Sequence, residues 1–360
     1  MRQPQFAFCA ACLVLGSACG DTPQEVLLDP SDMTPLPVLN QPVALGVPVW
    51  LDVPTYDGSG QGVEPDVLYF PGGWRGWEYW MAFNPYPNGD EFYENPSILA
   101  SHDGTQWVVP EGLVNPVVPF PRQGKAHNSD PDLFYAPDAD QLVLVYREVN
   151  GGRNILKRLT STDGVSWSPV VQVLEAPNHQ LISPAIVARA GRKPLMWVVD
   201  AGVGCAAMAT NVVLRRWLGV PDMSTVVSGK TWSKPVITNL QQPGYIVWHI
   251  DVIFIESMKE YWAVYAARPL STKQCGKDNN LFFARSRDGV HWKTFDKPFL
   301  TTGVTPWATA TLYRSTMLYD STSNMFRVWL SASADGGPWY LGYVEVPAPL
   351  QASPSSAWIN

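Results

Sequence analysis

Five acidic residues recur at two fixed places of a repeated pattern: Glu64 and Asp66, Asp130 and Asp132, and Asp251. EPDVLYF from Glu64, DPDLFYA from Asp130, SPAIVAR from Ser183, HIDVIFI from His249 and RSTMLYD from Arg314 can be written one above another. They define an outer column of Glu64, Asp130, Ser183, His249 and Arg314. Two residues on, an inner column holds Asp66, Asp132, Ala185, Asp251 and Thr316. Residues two apart on an extended chain share a face, about 6.6 to 6.8 Å apart. If these faces converge, five carboxylates, a His and an Arg meet in one small volume. Like charges that close raise each other's pKa, so one carboxylic acid stays protonated while another stays ionised.

Glycoside hydrolysis needs that division: one carboxylic acid protonates the leaving oxygen, and one carboxylate activates water or attacks the anomeric carbon. Asp66 and Asp132 are the central catalytic candidates, with Glu64, Asp130, Glu94 and Asp200 as further acids. Glu94 and Asp200 enter because the third repeat has no acid in either column. His249, Asp251 and Arg314 are candidate substrate-binding groups, and Trp74, Trp77 and Trp248 a candidate stacking rim. Blander readings stand beside these. Asp at a strand start often only satisfies turn backbone, and most of the 16 Trp are expected in the core. No cofactor is required, although a structural calcium or sodium ion in the channel would also account for the carboxylates.

The elements that must position these residues are repeated too. SHDGTQW from Ser101, STDGVSW from Ser161 and SRDGVHW from Ser286 share the pattern SxDGxxW. Asp-Gly between strand-like runs is a hairpin signal, because Gly takes the positive φ and Asp bonds nearby backbone. Each unit opens with a column strand, continues with a second (YWMAFN, LVLVYRE, LMWVVDA, YWAVYAA, FRVWLSA), and places a third before the heptad where one occurs. The third unit retains only SGKTW. These repeats predict an all-β fold, a five-bladed β-propeller of four-stranded antiparallel blades over 44–350. The run ALGVPVWLDV from Ala44 supplies the missing strand of the fifth blade and closes the ring. A two-sheet sandwich would also have regular turns, but it would scatter the polar openings that a propeller gathers on its axis.

Composition agrees. With 46% hydrophobic and 16% charged residues, 33 Pro and 28 Gly, the chain suits many short strands and turns. A net charge of -7 without a Lys/Arg run argues against a nucleic-acid partner and fits a neutral or weakly charged ligand better; the expected partner is an oligo- or polysaccharide. Residues 1–18 read as an export signal, with Arg2 before an apolar run, and 19–43 as a Pro-rich tether. LGSAC resembles a bacterial lipoprotein processing site with Cys19 as the lipidated residue; cleavage after Ala18 for secretion is the competing reading. The expectation is an extracytoplasmic monomer that meets the membrane only through a lipid anchor, with a tail over 351–360. Outside the signal segment only Cys205 and Cys275 remain, a candidate disulfide.

DPDLFYAPDADQLVLVY, EPDVLYF and HIDVIFI resemble the blade openings of the five-bladed arabinanase and β-xylosidase superfamily, glycoside hydrolase families 43, 32 and relatives. SxDGxxW occurs widely there, and it is one residue shorter than the sialidase box SxDxGxxW. The resemblance implies a base at Asp66 or Glu64 and a modulating carboxylate at Asp132 or Asp130. The family's acid has no counterpart, since the third blade opens with SPAIV. Two functions therefore stay open: a glycoside hydrolase, and a non-catalytic carbohydrate-binding propeller.

Overall fold

The computed structural model describes residues 36–118, 120–121, 126–219 and 231–349. The export signal, Cys19, most of the tether, Ser228 to Lys230 of the third unit and the tail lie outside the described residues. Strand β1 (Val49–Leu51) comes first. Blade one follows with β2 (Gly62–Trp74), β3 (Trp77–Pro85) and β4 (Ser97–Ser101), and blade two with β5 (His127–Ala136), β6 (Gln141–Asn150), β7 (Arg153–Ser161) and β8 (Val171–Pro177). Blade three is β9 (Ile182–Arg189), β10 (Arg192–Asp200), β11 (Asn211–Arg216) and β12 (Val236–Ile237); blade four is β13 (Tyr245–Ile255), β14 (Glu260–Pro269), β15 (Asn280–Ser286) and β16 (Trp292–Thr294). Blade five holds β17 (Thr311–Asp320), β18 (Met325–Ser333) and β19 (Trp339–Pro347). The protein is thus the expected all-β, five-bladed β-propeller. Among the described residues the only helices are short 3-10 turns.

The ring closes as the sequence implied, because β1 pairs antiparallel with β19, Trp50 opposite Gly342, as the outer strand of the fifth blade. Blade one departs from four strands. Its outer edge is a single bridge between Ala100 and Val108.

The inner strands β2, β5, β9, β13 and β17 meet in cyclic order around the axis. Each carries a bulge near its opening, at Val63/Asp66, Ser129/Asp132, opposite Trp197/Val199, at Val247/His249 and at Leu312/Ser315. A bulge breaks the ladder, bends the strand and re-aims side chains. In the first three blades it falls on an acid or serine followed by proline, and Glu64, Asp130 and Ser183 all take positive φ (58, 50 and 53°). Such backbone costs of order 1–3 kcal/mol per residue, and proteins tend to keep it at functional sites.

Inner strands of neighbouring blades are not paired with each other. Their backbone is stitched instead by the polar columns. Asp130 N–H donates to Glu64 Oε2 (2.6 Å), Leu133 N–H to Asp66 Oδ2 (2.6 Å), Ile186 N–H to Asp132 Oδ1 (3.2 Å) and Ile250 N–H to Ser183 Oγ (3.1 Å). Thr316 Oγ1 donates to Asp251 Oδ2 (2.8 Å) between blades four and five, and Ser331 Oγ, on β18, accepts from Glu64 N–H (3.2 Å) and completes the circle. The remaining cohesion is apolar, in clusters that each join two adjacent blades, such as Trp197, Tyr261 and Phe282 between blades three and four.

Candidate functional site

Both columns converge on the axis, and all ten of their residues except Ala185 are buried polar groups. The outer column forms the upper layer, where the strands begin. At its centre Asp130 lies 2.6 Å from Arg147 Nε, and its Oδ1 lies 3.5 Å from His249 Nδ1. Glu64 Oε2 accepts from the Asp130 amide and from Asn84 Nδ2 (2.9 Å). Arg147 also donates to Ser129 Oγ (2.8 Å). Ligand atoms of Glu64, Asp130 and His249 all lie within 4.8 Å of one another, the only such set of three among the described residues.

The electrostatics separate these groups. Burial and then the Asp130 charge push the Glu64 carboxyl well above its ordinary range. Burial works the same way on Asp130, but Arg147, His249 and Arg314 hold it below the usual carboxylate range. Burial pushes His249 down to about 3, so its imidazole is neutral. Neither ring nitrogen of His249 and neither carboxylate oxygen of Asp130 has an aligned hydrogen-bond partner. Two carboxyl groups and one neutral imidazole, each offering a ligand atom within 4.8 Å of the others, are a donor set that suits a divalent cation.

Above this layer His127 lies 3.8 Å through Nε2 from Glu94 Oε2 and 3.5 Å through Nδ1 from Glu91 Oε2. Burial and the charges of Glu64 and Asp130 raise Glu94 well above its ordinary value, and burial lowers His127. Tyr313 packs edge-on against His249 (4.1 Å), then Trp339 against Tyr313 (5.2 Å) and Tyr86 against Trp339 (5.4 Å). This aromatic wall and His127 escaped the sequence reading. A signal was present for His127, which stands three residues before Asp130 in a chain with only five His.

The inner column forms a second, deeper layer. Thr316 Oγ1 lies 3.2 Å from Asp66 Oδ1 and 2.8 Å from Asp251 Oδ2, and Arg314 Nη2 lies 3.6 Å from Asp132 Oδ1. Burial and then Asp251 push Asp66 up to about 7; burial likewise raises Asp132 and Asp251. Arg314 also donates to Pro184 O (2.8 Å), tying blade five to blade three.

Other expected residues fall elsewhere. Trp74 and Trp77 sit at the β2–β3 turn, the opposite end of these strands from Glu64, where Trp74 donates to Asp140 (2.7 Å) and Trp77 stacks on His102 (4.4 Å). Trp248 is buried between blades three and four. These three form no common rim, because the hairpin and the bulge aim them away from one another. Asp200 accepts from the Gly202 amide (3.0 Å) and caps its own turn. Two charged residues at the ends of second strands are engaged as well: Glu148 pairs with Lys157, and Arg268 donates to Cys205 O and Ala207 O. Cys205 and Cys275 form the expected disulfide, joining the loops after β10 and β14.

No family model matches the chain. It is 30% identical over 342 residues to an A type blood N-acetyl-α-D-galactosamine deacetylase of Flavonifractor plautii. The match takes in 79% of this chain and 42% of that protein, so the chain spans less than half the length of the curated relative. A crystal structure of an N-acetylgalactosamine deacetylase from F. plautii, in complex with blood group B trisaccharide, superposes with a TM-score of 0.73 at 26% identity. That match covers 85% of this chain and 95% of the other. An endo-arabinase from Bacteroides thetaiotaomicron (TM-score 0.55, 10% identity, 86% and 98% covered) shares the fold. So does the catalytic domain of a Coprinopsis cinerea family 62 α-L-arabinofuranosidase (0.54, 14%, 88% and 100%). In fold, then, the chain is a five-bladed β-propeller similar to these structures, and in sequence it is similar to the F. plautii deacetylase.

Proposed function

We propose that this propeller is a carbohydrate-active enzyme that hydrolyses the N-acetyl group of an N-acetylhexosamine in a glycan, at a divalent-metal site of Glu64, Asp130 and His249. The observation that carries the reading is that buried set of three, its ligand atoms within 4.8 Å of one another, in a chain similar to a deacetylase. A bound divalent cation would polarise the amide carbonyl and acidify a water there.

The remaining work falls to this chain's own side chains. Arg147 fixes the Asp130 carboxylate. His127 Nε2 stands above the cluster, placed to take a proton from the attacking water, and the buried Glu94 carboxyl beside it is placed to return one to the departing amine. The C–N bond breaks, a C–O bond forms, and acetate and a free amino sugar are the products. Tyr86 and Trp339 offer ring faces for the sugar. In this reading Asp66 and Asp132, central to the hydrolytic expectation, serve as inter-blade stitches, since each accepts a backbone N–H from the next inner strand.

The test is product analysis with an N-acetylgalactosaminide. Acetate and amine should appear in equal amounts, vanish with EDTA and return with added divalent metal. Asp130→Asn and His249→Ala should each lower kcat/KM at least about 100-fold, the scale of removing one preorganised electrostatic group. Release of the sugar from its aglycone without acetate would establish glycoside hydrolysis instead; saturable glycan binding without either product would establish the non-catalytic reading. The proposal extends to an extracytoplasmic lipoprotein, since a disulfide persists in oxidising compartments. Acyl-chain labelling that survives Cys19→Ser would reject the anchor.

A further inference from the structure

The axial channel has a second opening. A cavity of 360 Å³ lies at the end remote from Glu64, where the hairpins between first and second strands turn. Its floor is the inner column, Asp66, Asp132, Asp251 and Thr316, and its walls are apolar, including Leu68, Phe134, Val187, Ile253 and Leu318. Arg189 rests on the Phe254 ring at the mouth (3.6 Å) and pairs there with Glu256 (3.0 Å).

Donor accounting at this floor does not balance. Asp132 is 2% exposed, and its Oδ2 has no hydrogen-bond partner. The Thr316 hydroxyl carries one proton, yet it lies within hydrogen-bond distance of Asp66 Oδ1 and Asp251 Oδ2 alike, so it can serve one of them. Three carboxylates face one guanidinium, and Arg314 approaches Asp132 only through Oδ1 while lying among Glu64 and Asp130 as well. An unsatisfied buried acceptor costs about 1–3 kcal/mol, more when charged.

We infer that this vestibule binds an organic ammonium, a primary amine with a short apolar body. A primary ammonium brings one positive charge and N–H donors, one of which would meet Asp132 Oδ2, the floor oxygen that has no protein partner. Its hydrocarbon part fills the collar, which offers nothing to a hydrated metal ion. The inference goes beyond the proposed deacetylation, and its readout does not depend on that activity.

Isothermal titration at fixed ionic strength tests it with n-butylammonium, tetramethylammonium, 1-pentanol and calcium chloride. One saturable site for n-butylammonium is expected, with binding of tetramethylammonium, which lacks N–H donors, at least tenfold weaker. Asp132→Asn and Val187→Trp should each weaken butylammonium binding at least tenfold. Val187→Trp narrows the collar without touching an inter-blade stitch, so it keeps the test sound if Asp132→Asn folds poorly. Equal binding of 1-pentanol would make this a plain apolar cavity, and displacement by calcium would make it an inorganic cation site. Either result overturns the inference, as does undiminished binding in both variants or no saturable binding at all.

Discussion

Asp130 receives its environment from three blades: Glu64 from the first, Arg147 from its own, and His249 from the fourth. Such convergence makes a charge at Asp130 dependent on geometry rather than on local sequence. Arg147→Lys tests this, because an ammonium cannot hold Asp130 and Ser129 in one planar fork. A fall in kcat with KM little changed is expected for a positioning residue, whereas a rise in KM alone would mean that Arg147 contacts the sugar. The inner layer makes the opposite prediction. Asp66→Ala removes the acceptor for the Leu133 amide and should cost about 1–3 kcal/mol of stability, read as a lower midpoint in denaturant, while the folded variant keeps most of the proposed acetate-releasing activity. Loss of activity with stability intact would return Asp66 to the catalytic role that its sequence register suggested.

The SxDGxxW turns carry the element scale. In each, the Ser hydroxyl accepts from the Gly amide and the Asp Oδ1 accepts from the two amides after Gly, as Asp163 does from Val165 (2.8 Å) and Ser166 (2.7 Å). The sequence made the turn legible, and with it the phase of every blade and the register of Glu64, Asp66, Asp130, Asp132, His249 and Asp251. What it hid is why the glycine is needed. Each turn is the seat of a second-strand Trp from the preceding blade: Trp329 on Gly104, Trp80 on Gly164 and Trp197 on Gly289. A Cβ on Gly164 would stand 2.1 Å from the Trp80 ring, at a φ of +78°. The heptad alone does not name that partner, because each Trp comes from a different blade, far away in the sequence. Gly164→Ala should therefore cost about 2–4 kcal/mol, against about 1 kcal/mol for Gly191→Ala, which has positive φ but open space. Acid titration separates the Asp from the Gly. Partial burial opposes ionisation of Asp163, yet its two amide donors and Ser161 hold it down at about 2. A depressed folded pKa contributes stability above the unfolded value of about 3.9 and loses it as pH falls through the folded value. The thermal midpoints of wild type and Asp163→Asn should thus differ at pH 7 and converge between pH 4 and 2.

At the scale of the whole molecule, two closures hold the ring, and they differ in kind. The disulfide links blades three and four across 70 residues, and both blades already share a large apolar seam. Loop-closure entropy for that span is about 4 kcal/mol, and measured values commonly fall to about 2. Strand β1 instead joins the first and last parts of the propeller: Leu51, 4% exposed, packs with Phe83 and Met81 of blade one and Leu341 of blade five. No other covalent or ladder contact spans the seam between those blades among the described residues, so opening there separates β2 from β17 and takes Glu64 away from Ser331 and from the axis. Leu51→Ala leaves a cavity at that seam and should cost about 3–5 kcal/mol. Because Glu64 belongs to the proposed metal set, the same variant should lose affinity for the divalent cation in a chelator competition, whereas the Cys205→Ser, Cys275→Ser double variant should lose stability without that change. Equal metal affinity in Leu51→Ala and wild type would mean that Glu64 is held in place by blade one alone.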